Sequence, residues 1–192
     1  MTPVLAKAVV LGLLSGLPAY HGDGETDEAR RTRLDSPAEA IVEVARTSDD
    51  VVALVALAEA ESRLAAHVHQ GRCRPWECDG GLARGLWQNH EGSVAPAVWF
   101  VLATPGPLAD RVGAREALRV WRSALGWCHG DLACARARYR GTSRITEHEQ
   151  AFARRFGELR RRIASDFWRR RARRVRRKVV AMTAKGDTHN AR

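Results

Sequence analysis

Residues 51–68 constrain the fold more than any other part of the sequence, because their apolar side chains recur at helical spacing. On a helix, Glu61 falls in the middle of the apolar stripe, whereas Glu59 falls on the opposite side near Arg63, where we expect it to be solvated. The stripe consists of Leu54, Leu57, Ala58, Leu64, Ala65 and Val68. The sequence therefore predicts a packed helix that carries one carboxyl group on its apolar side.

The position of Glu61 has two interpretations. An unpaired buried carboxylate is costly, so such a group usually takes up a proton. A glutamic acid that stays neutral near pH 7 is the proton donor that glycosidases use. The other interpretation is a buried Glu61 in a salt bridge with one of the many arginines. Periodicity alone leaves both open.

Helix start signals flank this segment. Ser36 and Glu39 form a capping-box pattern around Pro37, which predicts a helix over about residues 37–47. Ser48 then supplies the cap of the next helix, with acidic residues in the first turn.

The rest of the chain predicts a mainly α fold of the α+β type with one irregular insertion. Residues 71–89 contain four glycines, one proline and two cysteines, which indicates a Cys-containing loop or small hairpin. Residues 22–33 are polar and charged and predict a loop or linker. Helical patterns cover residues 95–103, 109–127, 132–139 and 146 to about 182. We expect an N-terminal segment at 1–34, a helical domain at 35–150 and a basic C-terminal helix and tail at 151–192.

The N-terminal segment also has two interpretations. Residues 8–14 form a short apolar run behind Lys7, which fits a signal peptide cleaved near residues 17–19. The same run fits a first helix packed on the core. It is shorter than the ~18 apolar residues of a membrane span.

Positive charge is concentrated near the C-terminus. The whole chain has a net charge of +10, but residues 154–178 carry thirteen basic and two acidic side chains, so the remainder sums to −1. Apolar residues at helical spacing predict that the first part of this segment packs on the domain: Phe152, Phe156, Leu159, Ile163 and Phe167. The cationic run from Arg169 to Lys178 fits contact with an anionic envelope surface, nucleic-acid binding through phosphates, or a solvated helix.

The four cysteines fall into two local pairs, which indicates two disulfides, although four cysteines allow three connectivities. They are Cys73, Cys78, Cys128 and Cys134. Disulfides imply an oxidising compartment, and four reduced thiols in the cytosol are the alternative. The spacing does not match the usual zinc-ligand pattern, and we predict neither a metal nor another cofactor.

Three short blocks occur in order along the chain. Residues 58–64 read AEAESRL, residues 83–88 read ARGLWQ, and residues 135–141 read ARARYRG. Together they resemble the lytic transglycosylase (SLT, goose-type lysozyme-like) family, which carries a Glu-Ser pair at a helix end, then Gly-Leu-Met-Gln, then Ala-x-x-Tyr-Asn-Gly-Gly. Trp87 stands at the Met position, while Arg140 and Thr142 depart from the Asn and the second Gly.

The resemblance implies a lysozyme-like fold with Glu61 as the catalytic acid and base. Gln88 would line the groove and contact sugar, or order its loop. Tyr139 would lie near Glu61 from a later helix, and Ser62 would support the loop or the substrate. Trp87 would border the cleft and stack on a sugar face, with core packing as the alternative.

The implied reaction is cleavage of the MurNAc–GlcNAc β-1,4 bond of peptidoglycan. Lytic transglycosylases use one glutamate, assistance from the substrate's N-acetyl group, and the muramic 6-hydroxyl as acceptor; a muramidase would use water. Most glycosidases use two carboxyl groups. Asp79 is the candidate for a second one, although Asp-Gly-Gly is ordinarily turn chemistry. His67 and His69 would diverge on a helix, so we expect no catalytic or ligand role for them.

Three further tryptophans fall in helical patterns and are expected in the core: Trp99, Trp121 and Trp127. Trp76 lies in the loop that borders the cleft, where it either stacks on sugar or packs.

With the resemblance, each cysteine pair gains a place. A Cys73–Cys78 bridge would pin the loop beside Glu61, and a Cys128–Cys134 bridge would pin the turn before the Tyr139 helix. The expected protein is a monomeric enzyme, secreted, periplasmic or carried on a phage virion. The alternative is an inactive lysozyme-like binding module that contacts anionic envelope polymer or nucleic acid through its basic tail.

Overall fold

The computed structural model describes residues 3–18, 24–74 and 76–164. Within these ranges the chain is mainly helical, with a two-stranded antiparallel sheet, as predicted. The helices are α1 (Pro3–Ser15), α2 (Asp27–Arg33), α3 (Asp35–Val44), α4 (Ser48–Ser62), α5 (Ala66–His69), α6 (Cys78–Gly81), α7 (Pro96–Leu102), α8 (Pro107–Trp127), α9 (Leu132–Tyr139) and α10, at 147–164. The strands are β1 (Ala83–Arg84) and β2 (Asn89–His90), and Glu91–Ser93 forms a 3-10 turn. The cationic run from Arg169 to Lys178 lies outside the described residues.

Helix α4 is the centre of the core. Thr47 caps it, because the Thr47 hydroxyl accepts from the Asp50 N–H while the Asp50 carboxylate accepts from the Thr47 N–H. The predicted cap at Ser48 was therefore one residue late. Every residue from Val52 to Ala58 is 1% exposed or less. The helix is thus buried on nearly all sides, whereas periodicity predicted only a single apolar stripe.

The N-terminal helix α1 is packed, with Val10, Leu13, Leu14 and Leu17 in the same core as α4. This is the packed-helix interpretation of the apolar run. The core also includes Phe152 from α10, so it extends across the divisions predicted at residues 34 and 150.

Two expectations between α1 and α4 were wrong. The predicted loop at residues 22–33 contains α2, which Thr26 caps by accepting from the Ala29 N–H at 3.2 Å. Ser36 does not cap α3, since its hydroxyl donates to the Asp110 carboxylate at 2.6 Å. The Arg33 guanidinium donates to the Leu64 carbonyl at 2.9 Å, and this tertiary hydrogen bond helps to hold α2 in place.

The tryptophans divide between core and surface. Trp99 and Trp121 are buried, as predicted, and Trp121 meets the Phe152 ring edge-on with centroids 5.4 Å apart. Trp127 was predicted in the core but is 67% exposed, because it ends α8 at the surface. There the Arg138 guanidinium lies 3.5 Å above its ring.

Both local disulfides are present, Cys73–Cys78 and Cys128–Cys134, which confirms the predicted pairing. They fit an oxidising compartment. Among the helices of the described ranges, none has the length and apolar character needed to cross a bilayer.

Candidate active site

Glu61 lies in the last turn of α4, where the helix is stopped abruptly. Arg63 and Leu64 both adopt left-handed backbone conformations, with φ of 51° and 56°. The Ser62 hydroxyl donates to the Ala58 carbonyl at 2.8 Å and accepts from the Leu64 N–H at 3.2 Å. Ser62 therefore shapes the helix end, which is the loop-supporting role the sequence allowed, and its contact with substrate stays a prediction.

The Glu61 side chain is 15% exposed and forms an ion pair with the buried guanidinium of Arg136. Burial raises the pKa of the Glu61 carboxyl above its ordinary value, and Arg136 opposes that rise. Arg140 also lowers the pKa, while the negative charge of Asp79 raises it. The two interpretations of Glu61 thus hold together: the carboxyl is salt-bridged, and burial still favours its protonated form.

Arg136 is the site residue that the sequence did not reveal. It lies on α9, 75 residues from Glu61 along the chain, and it is 6% exposed. Its guanidinium is 5.3 Å from the centroid of the Phe152 ring and 5.8 Å from that of Tyr139. The only available signal was an arginine three residues before Tyr139, which is weak in a chain with 32 basic residues.

Tyr139 lies behind Glu61, as the resemblance implied. Its hydroxyl donates to the Trp87 carbonyl at 2.9 Å. Burial raises the pKa of the Tyr139 hydroxyl, and the nearby charge of Glu61 raises it further. Tyr139 therefore ties the hairpin loop to the end of α9 as a neutral phenol.

Trp87 and Gln88 occupy the loop between β1 and β2. Trp87 is 1% exposed, and its indole N–H donates to the Leu54 carbonyl at 2.9 Å. The prediction that Trp87 contacts sugar is wrong, since its ring is enclosed by the core. Gln88 has a left-handed backbone, with φ of 46°, and its amide donates to the Gly85 carbonyl at 2.9 Å. Gln88 thus orders its own loop, and a sugar contact by Gln88 remains a prediction.

A groove of about 520 Å³ lies over Glu61, and we call it the Glu61 groove. It is formed by the end of α4, the end of α9 and the first turns of α10. Its lining residues are Ala56, Glu59, Ala60, Glu61, Arg136, Arg140, His148, Glu149, Ala151, Phe152 and Arg155. Of the five site residues predicted from the sequence, Glu61 is the one found among them.

Three ion pairs line the Glu61 groove: Glu61–Arg136, Glu149–Arg140 at 2.9 Å and Glu59–Arg155 at 2.9 Å. The prediction that Glu59 is solvated on the far side of the helix, near Arg63, was wrong. Its carboxylate accepts two bonds from Arg155 of α10, which packs on that side. The groove therefore presents paired charges around one carboxyl whose pKa is raised.

The Cys73–Cys78 loop borders the same end of α4. Asp79 is exposed, and its charge acts on Glu61, which places it on the side of the acid. Trp76 is 76% exposed, and the Arg74 guanidinium lies 6.0 Å from its ring centroid. Sugar stacking by Trp76 and a second-carboxylate role for Asp79 stay predictions that this placement permits.

The two histidines on α5 have separate carboxylate partners. His67 pairs with Glu77 at 3.1 Å, and His69 pairs with Asp110 at 2.7 Å. His69 and Asp110 line a second cavity of about 240 Å³, which the hairpin also lines. The other ring nitrogen of His69, Nδ1, is 3.4 Å from the Arg33 guanidinium, so both of its ring nitrogens have protein partners. Among the described residues, no group of three His, Cys, Asp or Glu side chains is arranged for a metal.

Searches of protein-family models, of curated proteins and of solved structures found no match to this chain.

Proposed function

We propose that this chain has a lysozyme-like fold and cleaves the MurNAc–GlcNAc β-1,4 bond of peptidoglycan glycan strands, with Glu61 as general acid and then general base. The observation that carries the proposal is a carboxyl group with a raised pKa, opening onto a groove of about 520 Å³. A proton donor to a leaving oxygen needs this combination of a protonated state and access. The motif blocks around Glu61, Gln88 and Tyr139 supply the substrate class by resemblance.

In the first step the Glu61 carboxyl donates its proton to the glycosidic oxygen as the bond to the anomeric carbon breaks. By resemblance to the lytic transglycosylases, the substrate's own N-acetyl oxygen assists at that carbon. The Glu61 carboxylate then removes a proton from the acceptor, either the muramic 6-hydroxyl or water, as the acceptor oxygen bonds to the anomeric carbon and the N-acetyl oxygen leaves it. The proton returns to Glu61, so the enzyme ends as it began.

Hydrogen bonds of the residues around Glu61 support this chemistry. Ser62 fixes the end of α4, and the Tyr139–Trp87 hydrogen bond ties the hairpin to α9, the helix that carries Arg136. A carboxyl held in this way loses little motion when substrate arrives, which is what positioned acid catalysis requires.

Release of soluble muropeptides from purified insoluble peptidoglycan, followed by mass spectrometry, tests the proposal. We expect Glu61→Gln to lower the rate by about 10²–10⁴-fold, because general acid catalysis contributes on that order. Glu43→Gln is the matched control. Glu43 lies on α3, outside the groove, and forms an ion pair with Arg111 of α8 at 2.5 Å. The wild-type product also assigns the acceptor, because 1,6-anhydro ends are one water lighter than reducing ends. Equal release by wild type and Glu61→Gln would refute the role of Glu61.

One observation favours a second candidate, an inactive lysozyme-like module that binds envelope polymer or nucleic acid. The Arg136 guanidinium contacts the Glu61 carboxyl, and an ion pair opposes proton donation. Such a module would pellet with insoluble peptidoglycan, or bind DNA in a salt-sensitive manner, and would release no muropeptides.

A further inference from the structure

Arg136 is the one ion-pair partner that the described structure gives to Glu61, and it is more deeply enclosed than the acid itself. Its side chain is 7% exposed, against 15% for Glu61. The guanidinium lies between the carboxyl and the rings of Phe152 and Tyr139. Aromatic faces attract a guanidinium, so Arg136 has favourable contacts besides the ion pair.

The backbone around Arg136 is also fixed. Ala135 and Ala137 are each 1% exposed or less, so α9 is packed on both sides of the arginine. The Cys128–Cys134 disulfide closes the turn from which α9 begins. Arg136 therefore contacts Glu61 from a helix whose position is fixed by packing. An arginine on an exposed helix would be free to move away from the carboxyl.

A carboxyl that first donates and then accepts a proton needs a small free-energy difference between its protonated and ionised forms. Burial alone would hold the proton and make ionisation costly. An ion pair alone would hold the carboxylate and make donation costly. At Glu61 the two effects act against each other on the same group.

We propose that Arg136 is a positioning residue that orients the Glu61 carboxyl and sets the balance between its protonated and ionised forms. This role rests on the proposed function. The resemblance does not supply this role, because Arg136 stands three residues before Tyr139, where the motif Ala-x-x-Tyr has Ala.

Other titratable groups face Glu61 from the neighbouring elements. These are Asp79 from α6, Tyr139 and Arg140 at the end of α9, Glu59 of α4 with Arg155, and His148 and Glu149 from α10. Arg140 is paired with Glu149 and Arg155 with Glu59, and Arg136 lowers the Glu61 pKa more than Arg140 does. The arginine that contacts Glu61 is therefore the one whose removal should change the acid most.

The test is a ¹³C NMR titration of the glutamate side-chain carboxyls in the full chain, with Glu61→Gln identifying the Glu61 resonance. We expect Arg136→Met to raise the Glu61 pKa by about one unit or more, a roughly tenfold change in the protonation equilibrium. Arg136→Lys keeps the charge and should stay closer to wild type. Arg138→Met removes a charge from the exposed side of the same helix and should leave the Glu61 titration unchanged.

The pH profile of muropeptide release supplies the second readout. A general acid acts in its protonated form, so a higher Glu61 pKa moves the alkaline limb of the profile upward in Arg136→Met and less in Arg136→Lys. If Arg136→Met does not fold, Arg136→Gln provides the same comparison with a neutral hydrogen-bond donor.

The outcomes separate this inference from the proposed function. A folded Arg136→Met with a wild-type Glu61 titration overturns the inference even if the wild type cleaves glycan. A shifted titration with an unshifted pH profile supports the role of Arg136 and contradicts the proposed function alone, because the rate would then not depend on the protonation of Glu61. If the wild type releases no muropeptides, the proposed function fails, and the titration still decides whether Arg136 controls Glu61.

Discussion

Two glutamates of the Glu61 groove, Glu61 and Glu149, are both enclosed, yet their pKa values move in opposite directions. Glu149 is 1% exposed, and the hydrogen bond from the Thr146 hydroxyl, with further bonds from the Thr146 N–H and Arg140, lowers its pKa to about 2. Glu61 is less enclosed, but burial raises its pKa against a single arginine partner. At Glu149 the hydrogen bonds outweigh burial, whereas at Glu61 burial outweighs the effect of Arg136 and Arg140.

The helix ends reinforce the difference. Glu149 lies in the first turn of α10, where the unpaired N–H groups of the helix favour a negative charge. Glu61 lies in the last turn of α4, where the unpaired carbonyl groups of the helix disfavour a negative charge. Glu149 thus stays ionised and links α10 to Arg140 at the end of α9. Glu61 has a raised pKa and can exchange a proton.

The largest expected effect comes from removing the Trp87 indole, which is hydrogen-bonded to the middle of α4. Trp87→Ala should lower the free energy of unfolding by about 3–5 kcal/mol, because it empties a buried indole site and deletes the hydrogen bond to Leu54. Trp76→Ala is the control, and we expect it to stay within about 0.5 kcal/mol because that ring is 76% exposed. Urea unfolding measures both. Similar losses for the two variants would contradict the placement of Trp87 in the core.

Next in size is the loss of the Glu149 carboxylate. Glu149→Gln should cost about 1.5–3 kcal/mol at pH 7, the range for hydrogen bonds to a charged group. Because the folded pKa of Glu149 is lowered to about 2, its contribution is full above the ordinary value of 4.5 and is lost as the pH falls through 2. Urea unfolding from pH 7 to pH 2 should show the two proteins converge. A constant difference over that range would count against the lowered pKa.

Removing the disulfide that starts α9 should cost about 2 kcal/mol in the chain-entropy estimate for a short loop. The variant is Cys128→Ser with Cys134→Ser, and the matched variant is Cys73→Ser with Cys78→Ser, which opens a loop of similar length. Thermal unfolding should show similar losses for both. The α9 variant should alter the Glu61 titration more than the other variant, since it loosens the helix that carries Arg136, whereas the Cys73–Cys78 loop precedes Asp79, which has a smaller effect on Glu61. An equal or larger effect from the Cys73–Cys78 variant would argue against this link.

The smallest expected effect is the pH dependence contributed by Glu61. Its folded pKa is raised, so its contribution to stability is full below the ordinary value of 4.5 and is lost as the pH rises toward the folded value. The loss is about 1.4 kcal/mol for each unit by which the pKa is raised. Unfolding of wild type and Glu61→Gln across pH 4–8 measures it. The trend is opposite in sign to that of Glu149, and a difference that grew in favour of wild type with rising pH would contradict it.

Much of the fold could be predicted from local patterns. The apolar spacing around Leu54 and Leu57 located α4, and the glycines and cysteines of residues 71–89 indicated the hairpin. Helix α2 was missed because its sequence is charged and its contacts are tertiary, including the one from Arg33 to Leu64. Trp127 was misplaced because a helical pattern does not show where a helix leaves the core.

The site was predictable only in part. Glu61 stood out because it interrupted an apolar stripe. Its partner Arg136 did not, since an ion pair between residues 75 positions apart leaves no local trace. Glu59 was misjudged for the same reason, because Arg155 reaches it from 96 residues away. The Thr146–Glu149 pair does carry a capping-box spacing, and that signal could have identified Glu149 before the structure.

One titration tests the contrast between the two glutamates most directly. In a wild-type sample labelled at the glutamate carboxyl carbons, with Glu61→Gln and Glu149→Gln assigning the resonances, both groups are followed from pH 2 to pH 8. The structure predicts that Glu149 titrates near 2 and that Glu61 titrates above 4.5. A Glu61 midpoint at or below 4.5 would contradict the account, because the groove would then hold a carboxylate where the reaction needs an acid.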